Sequence, residues 1–253
     1  MTQVVECNIN LKITIPKGIL YYPCCGNDTL DPIKIFLNYV DQFHFADNLN
    51  ISLPAIEGQE ARRTYTTIFN RGEFCSLREG KLLHKHHWFV EKSSVHHIAI
   101  AQETLDFAKT LTDQAWLPKN PGIYQEVWSN SRHGSKTEVF CHCNDGAIAL
   151  SSLDKLSVFF YRGDSIGEGG SGQWWLGPKL FNFILDKLLD GGLIITDGSN
   201  PDPKFREVEW ASLWEEKIDF VYRDRRFKCL GQITHNHNRA TYVWQVSIYN
   251  LFN

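Results

Sequence analysis

Lys17–Asp47, KGILYYPCCGNDTLDPIKIFLNYVDQFHFAD, is the stretch on which the reading of this chain turns. The apolar run Ile19-Leu20-Tyr21-Tyr22 predicts a buried strand, and Pro23-Cys24-Cys25-Gly26-Asn27-Asp28 breaks it as a turn. A helical pattern follows, with Ile33, Ile35, Phe36, Leu37 and Val40 on an imperfect apolar face. Thr29 or Asp31 is placed to cap it, and Pro32 sits where a first-turn proline is tolerated. Phe43-His44-Phe45-Ala46 predicts a second strand that ends on Asp47. Strand, small-residue turn, helix and acid-terminated strand together make a βαβ unit. In such a unit the turns at the carboxyl ends of the strands receive ligands, and an acid about 20 residues beyond the first turn accepts hydrogen bonds from a ribose. The glycine fingerprint G-x-G-x-x-G is missing, which argues against nicotinamide or flavin chemistry.

Outward from that unit, Leu11–Ile15 reads as an edge strand, and residues 51–60 read as loop. Arg63–Phe69 reads as a strand, Phe74 to Val90 as a hairpin or small sheet through Glu79-Gly80, and Ala101–Leu111 as a helix. Order resumes with a strand at Thr137–Cys141, the turn Asn144-Asp145-Gly146, a short helix over Gly146–Leu153 and a strand at Leu156–Tyr161. The glycine-rich loop Gly167–Gly172 precedes the longest helical pattern, Trp175–Leu189, which Asp190-Gly191-Gly192 is expected to stop. Leu193–Thr196 is a further strand, Trp210–Glu216 a helix candidate, and Phe227–Ile233 and Thr241–Ile248 a closing strand pair. Alternating elements predict a mostly parallel sheet with helices on both faces, and the closing pair an antiparallel hairpin at one edge.

The chain has 253 residues, room for one domain with residues 51–136 inserted as a substrate-recognition segment. Its net charge of −3 argues against a broad nucleic-acid surface. No apolar run is long enough to cross a bilayer, and the N-terminal residues lack a secretory pattern, so no membrane partner and a cytoplasmic location are expected. The 7 cysteines have no disulfide spacing and read as reduced thiols.

In sum the pattern resembles the class I S-adenosylmethionine-dependent methyltransferases, over residues 17–50 and 137–250. The resemblance implies an α/β Rossmann-like three-layer sandwich: a mostly parallel seven-stranded sheet with an antiparallel C-terminal hairpin and an inserted segment. It implies S-adenosylmethionine as cofactor, held by Tyr22, Cys24, Gly26, Asn27 and Asp28 of the first turn. Asp47 and Asn48 would hold the ribose, and Asp145 and Gly146 the adenine. Phe159–Ser165 resembles the end of the fourth strand, where substrate and methyl group meet, and Leu188–Ile195 the passage into the fifth. Asp164, Ser165 and Glu168, the last in a loop placed to cover the site, are then the catalytic candidates. The acceptor is left open as a small molecule, a protein or a nucleic acid. Cys24 and Cys25 stand where the family has small residues, which supports the alternative of a catalytically inactive binding or assembly module. A metal-dependent hydrolase is a third reading, from His84, His86, His87, His96, His97, Cys141-His142-Cys143, His235 and His237. These lack zinc-site spacing, so no metal is expected.

Overall fold

A computed structural model describes residues 14–26, 28–37, 39–47, 50–53, 55–56, 66–70, 73–77, 82–83, 88–112, 115, 117, 121–130, 134–162, 173–198, 219–233 and 241–249. The chain divides into two compact units, residues 19–153 and residues 154–253 with residues 3–18.

The first unit opens as its sequence predicts: strand β1 (Ile19–Pro23), helix α1 (Leu30–Phe36) and strand β2 (Gln42–Asp47). Thr29 holds the N-cap position of α1 but makes no side-chain cap bond. Five short pieces follow: β3 (Asn50–Ser52), β4 (Ala55–Ile56), β5 (Thr66–Asn70), β6 (Glu73–Leu77) and β7 (Leu82–Leu83). The stretch read as loop therefore carries two of them, β3 pairing with β5 and β4 with β7. The long strands β8 (Trp88–His97) and β9 (Gly122–Asn130) flank helix α2 (Gln102–Leu111). Strand β10 (Lys136–Cys143) and helix α3 (Gly146–Ser151) close the unit. The strand order here is β1-β2-β10-β9-β8. β1, β2 and β10 run parallel, whereas β9 and β8 continue antiparallel from β10.

The second unit holds strand β11 (Leu156–Tyr161), helix α4 (Pro178–Lys187) and strand β12 (Leu188–Thr196). It ends with β13 (Phe220–Tyr222), β14 (Arg225–Ile233) and β15 (Thr241–Ile248), in the order β13-β14-β15-β12-β11. β11 and β12 are parallel, and β15 is antiparallel to both β12 and β14. Its core is aromatic: Phe159, Phe160, Tyr161, Trp175, Phe181 and Trp244 are fully buried. Each such side chain contributes on the order of 2–3 kcal/mol.

These findings correct the expected architecture. Each unit carries a row of five strands of mixed direction, few of them joined by helices, in place of a helix-rich seven-stranded Rossmann-like sandwich. Antiparallel neighbours need no helical crossover, so β9 and β10, and β13 and β14, follow one another in the chain with no helix between them. The longest helix reading is corrected too. Gly177-Pro178 starts α4 late, with proline in its first turn, and the helix ends at Lys187. Leu188 already pairs with Leu156, and the next ladder pair is Val158 with Leu193. Residues 189–192 therefore form a bulge, where Gly191 takes φ +77° and a Cβ on Gly192 would lie 2.8 Å from the Leu189 carbonyl oxygen. The glycine pair shapes a strand bulge and does not stop the helix. The Leu11–Ile15 strand, the Trp210–Glu216 helix and the Gly167–Gly172 loop lie wholly or mostly outside the described residues.

Candidate functional site

The carboxyl ends of the three parallel strands of the first unit gather most of the predicted binding residues. Pro23 of β1 and His142 of β10 both pair with Ala46 of β2, and Cys143 pairs with Asp47. The turn after β1, the acid ending β2 and the turn after β10 thus emerge side by side.

The turn after β1 is tightly folded. The Asp28 amide donates to the Cys25 carbonyl at 2.8 Å, and the Cys25 amide to the Ala46 carbonyl at 3.4 Å. Cys24 has φ +53° and Gly26 φ +47°. For Cys24 the left-handed conformation costs roughly 1–2 kcal/mol, because its Cβ crowds the following carbonyl. Gly26 donates its amide to Asp47 Oδ2 at 2.9 Å, tying this turn to the end of β2. Among the described residues, a Cβ on Gly26 would meet only that oxygen, at 3.9 Å. Asp28 is held from behind, its Oδ2 accepting from the Tyr22 hydroxyl at 2.8 Å. Tyr22 itself is buried.

The turn after β10 serves a helix. Asp145 Oδ1 accepts from the Ala147 amide at 2.8 Å and caps α3, while Asn144 Oδ1 accepts from the Asp145 amide at 3.0 Å. Gly146 offers its carbonyl to the Tyr21 hydroxyl at 2.6 Å. Asp145 and Gly146 therefore have a structural task at the place where the adenine contact is expected. Asp145 is close enough that its charge, after burial and the Cys24 thiol, raises the Tyr21 phenol well above its ordinary range.

The thiols here are poor nucleophiles. Burial, then Asp47 and Cys141, push Cys25 well above the usual thiol range. Burial and Asp47 push Cys143 up to about 12. Burial and then Glu126 raise Cys141. Neutral thiols neither attack electrophiles nor ligate metals well.

Among the described residues no three His, Cys, Asp or Glu side chains come together to hold an ion. His142 turns away from Cys141 and Cys143 and bonds to His44. His96 and His97 are exposed on β8, and His84, His86, His87, His235 and His237 lie outside the described residues. So do Asn27, Asn48, Asp164, Ser165 and Glu168. The residue just before that loop, Arg162, is buried with its guanidinium 5.2 Å from the Phe160 ring centre.

One polar residue escaped the sequence reading altogether. Glu126 on β9 is 1% exposed, takes a hydrogen bond from the Tyr124 hydroxyl and another from Trp128 Nε1 at 2.7 Å. The signal was its spacing, an acid two residues from each of two aromatic donors, Tyr-x-Glu-x-Trp.

No protein-family model, curated protein or solved structure matches this chain. Among the described residues no helix is long and apolar enough to cross a membrane.

Proposed function

We propose that the parallel end of the first unit binds S-adenosylmethionine and that the chain transfers its methyl group to an acceptor. The observation that carries this reading is the bond from the Gly26 amide to Asp47 Oδ2. It sets a carboxylate at the end of a parallel strand against a glycine turn, at the carboxyl ends where such sheets take nucleotide ligands. A carboxylate has lone pairs for several donors, so Asp47 can hold the amide and accept ribose hydroxyls as well. The residues present fit the adenosine half of the cofactor through Asp47, Gly26 and the neighbouring turn of Asn144-Asp145. When bound, S-adenosylmethionine supplies an electrophilic methyl group on a sulfonium, so the chain's own task is mainly to orient and shield the reacting groups.

Calorimetric titration of the whole chain with S-adenosylmethionine and S-adenosylhomocysteine tests the reading, beside Asp47→Asn and Asp47→Ala. Micromolar binding that weakens at least tenfold in both variants is the expected result. A folded wild-type chain that binds neither ligand refutes it, and the fold is then a scaffold for a binding module.

A further inference from the structure

The same sheet carries a chain of polar side chains that the proposed site does not use. His142 Nε2 lies 2.8 Å from His44 Nδ1, and His44 Nε2 lies 3.2 Å from Gln42 Oε1. Gln42 Nε2 donates to Glu138 Oε2 at 2.8 Å, and Glu138 Oε1 accepts from Gln125 Nε2 at 3.0 Å. The two histidines are 3% and 7% exposed, and His44 also stacks on Phe140.

The direction of every bond follows from the last acceptor. The Glu138 carboxylate accepts only, so Gln42 must turn its amide nitrogen toward it and its carbonyl toward His44. His44 must then carry its proton on Nε2 and accept at Nδ1. His142, facing that acceptor, must carry its proton on Nε2 as well. With His142 in that form, a second proton on His44 would place an N–H against the N–H of His142 in a buried site. Burial, the main cause, and the neighbouring ring, for His44, hold both histidines below the usual imidazole range, His142 at about 4.

Among the described residues no nearby charge raises either imidazole. Tyr21 pairs with His44 on this face, and its hydroxyl reaches α3, which packs on β1 and β2. Tyr21 stays neutral, and α3 (GAIALS) has no ionisable side chain. Asp145 caps that helix, β9 supplies Gln125, and His96 two strands away is exposed. α2 packs on α3 with Glu103, Asp106 and Lys109 exposed.

We propose that Glu138, Gln42, His44 and His142 form a directional hydrogen-bond relay that closes the β2–β10 ladder only while both histidines are neutral, making this ladder an acid-released latch. The ladder also fixes the strand ends that carry Asp47 and Asp145, so its release takes the candidate site apart.

The sign follows from the lowered values. The open form takes up protons below about pH 6.5, and the closed form resists until about pH 4 at His142. Between those limits the open population rises up to about tenfold per pH unit for each histidine. The test uses the whole chain labelled with nitrogen-15 and requires no ligand. Imidazole nitrogen spectra at pH 7.5 are expected to show both rings as the Nε2–H form; the other form on either ring overturns the relay. Glu138→Gln frees the Gln42 amide to turn, so His44 is expected to populate both forms; a single unchanged form denies Glu138 its role. From pH 6.5 to 5, amide protection corrected for intrinsic exchange is expected to fall in β2 and β10 and to hold in β12 and β15. Rings that titrate near pH 6.5 with protection of β2 and β10 intact refute the latch.

Discussion

Glu126 offers the sharpest test of the packing of the first unit. Its carboxylate takes hydrogen bonds from Tyr124 and Trp128, and all three side chains are at most 5% exposed. Glu126→Ala removes the acceptor and leaves a hydroxyl and an indole N–H buried. Each orphaned donor costs about 1–3 kcal/mol, so the pair predicts a loss of about 2–6 kcal/mol. Glu126→Gln keeps the shape and one acceptor oxygen but turns an amide N–H toward a donor, so a smaller loss, about 1–3 kcal/mol, is expected. A third variant separates bonding from burial: Tyr124→Phe with Trp128→Phe and Glu126→Leu replaces the whole cluster with apolar side chains. It should recover much of the stability lost in Glu126→Ala, since burying no polar group is cheaper than burying orphaned ones. Urea unfolding followed by tryptophan fluorescence and by circular dichroism reads all three. If Glu126→Ala lies within about 0.5 kcal/mol of the wild type, the size of a neutral surface change, the reasoning fails.

Other consequences are as direct. Gly192→Ala is expected to destabilise by about 1–3 kcal/mol in the same assay, because its Cβ would press on the Leu189 carbonyl at 2.8 Å; a neutral result would deny the bulge. Asp145→Ala removes the cap of α3 and should cost about 1 kcal/mol, with Asp145→Asn nearly silent, as read by thermal melting. Tyr21→Phe loses a buried bond to the Gly146 carbonyl, for about 1 kcal/mol in urea unfolding. Brief alkylation of the native chain at pH 8, read by peptide mass, should modify the half-exposed Cys24 well before Cys141 and Cys143, which burial keeps protonated; equal rates would contradict the burial.

What the sequence disclosed depended on how many physical signals agreed at a given place. β1, α1 and β2 were legible because apolar runs, a turn and a helical face coincide within one stretch. β11 was legible because Leu156–Tyr161 is buried on every residue and apolar at all but one. β9 was not. Its inward positions are Tyr124, Glu126 and Trp128, while Ile123 and Val127 face the other way half-buried, so the acid inside and the aliphatics outside erased the alternation. α4 was overextended because Leu188 falls in helical step with Ile184 and Leu180, yet Leu188 belongs to a strand ladder that only the fold supplies. At the candidate site, Gly26 and Asp47 were legible as a pair through their spacing. The bond by which Asp145 caps α3, from the Ala147 amide, was visible only in the structure. The His44–His142 contact joins residues far apart in the chain and leaves no local trace.

The two acids at the strand ends differ in a way that bears on their use. Asp145 is drawn into its own helix, at an amide two residues on, and moving it would unmake the first turn of α3. Asp47 instead reaches across 21 residues to an amide in another turn, so its bond orders the very backbone that a ligand would meet. That ordering belongs to folding, where the buried Tyr22 and Phe45 beneath it already fix the strands. A turn held in place before a ligand arrives loses little further freedom on binding, and affinity gains by that amount. A donor that shares the Asp47 carboxylate keeps this advantage; one that displaces Gly26 forfeits it. On the proposed reading, the preorganised geometry favours ligands that present hydroxyls beside the amide, as a ribose does, over ligands that must replace it.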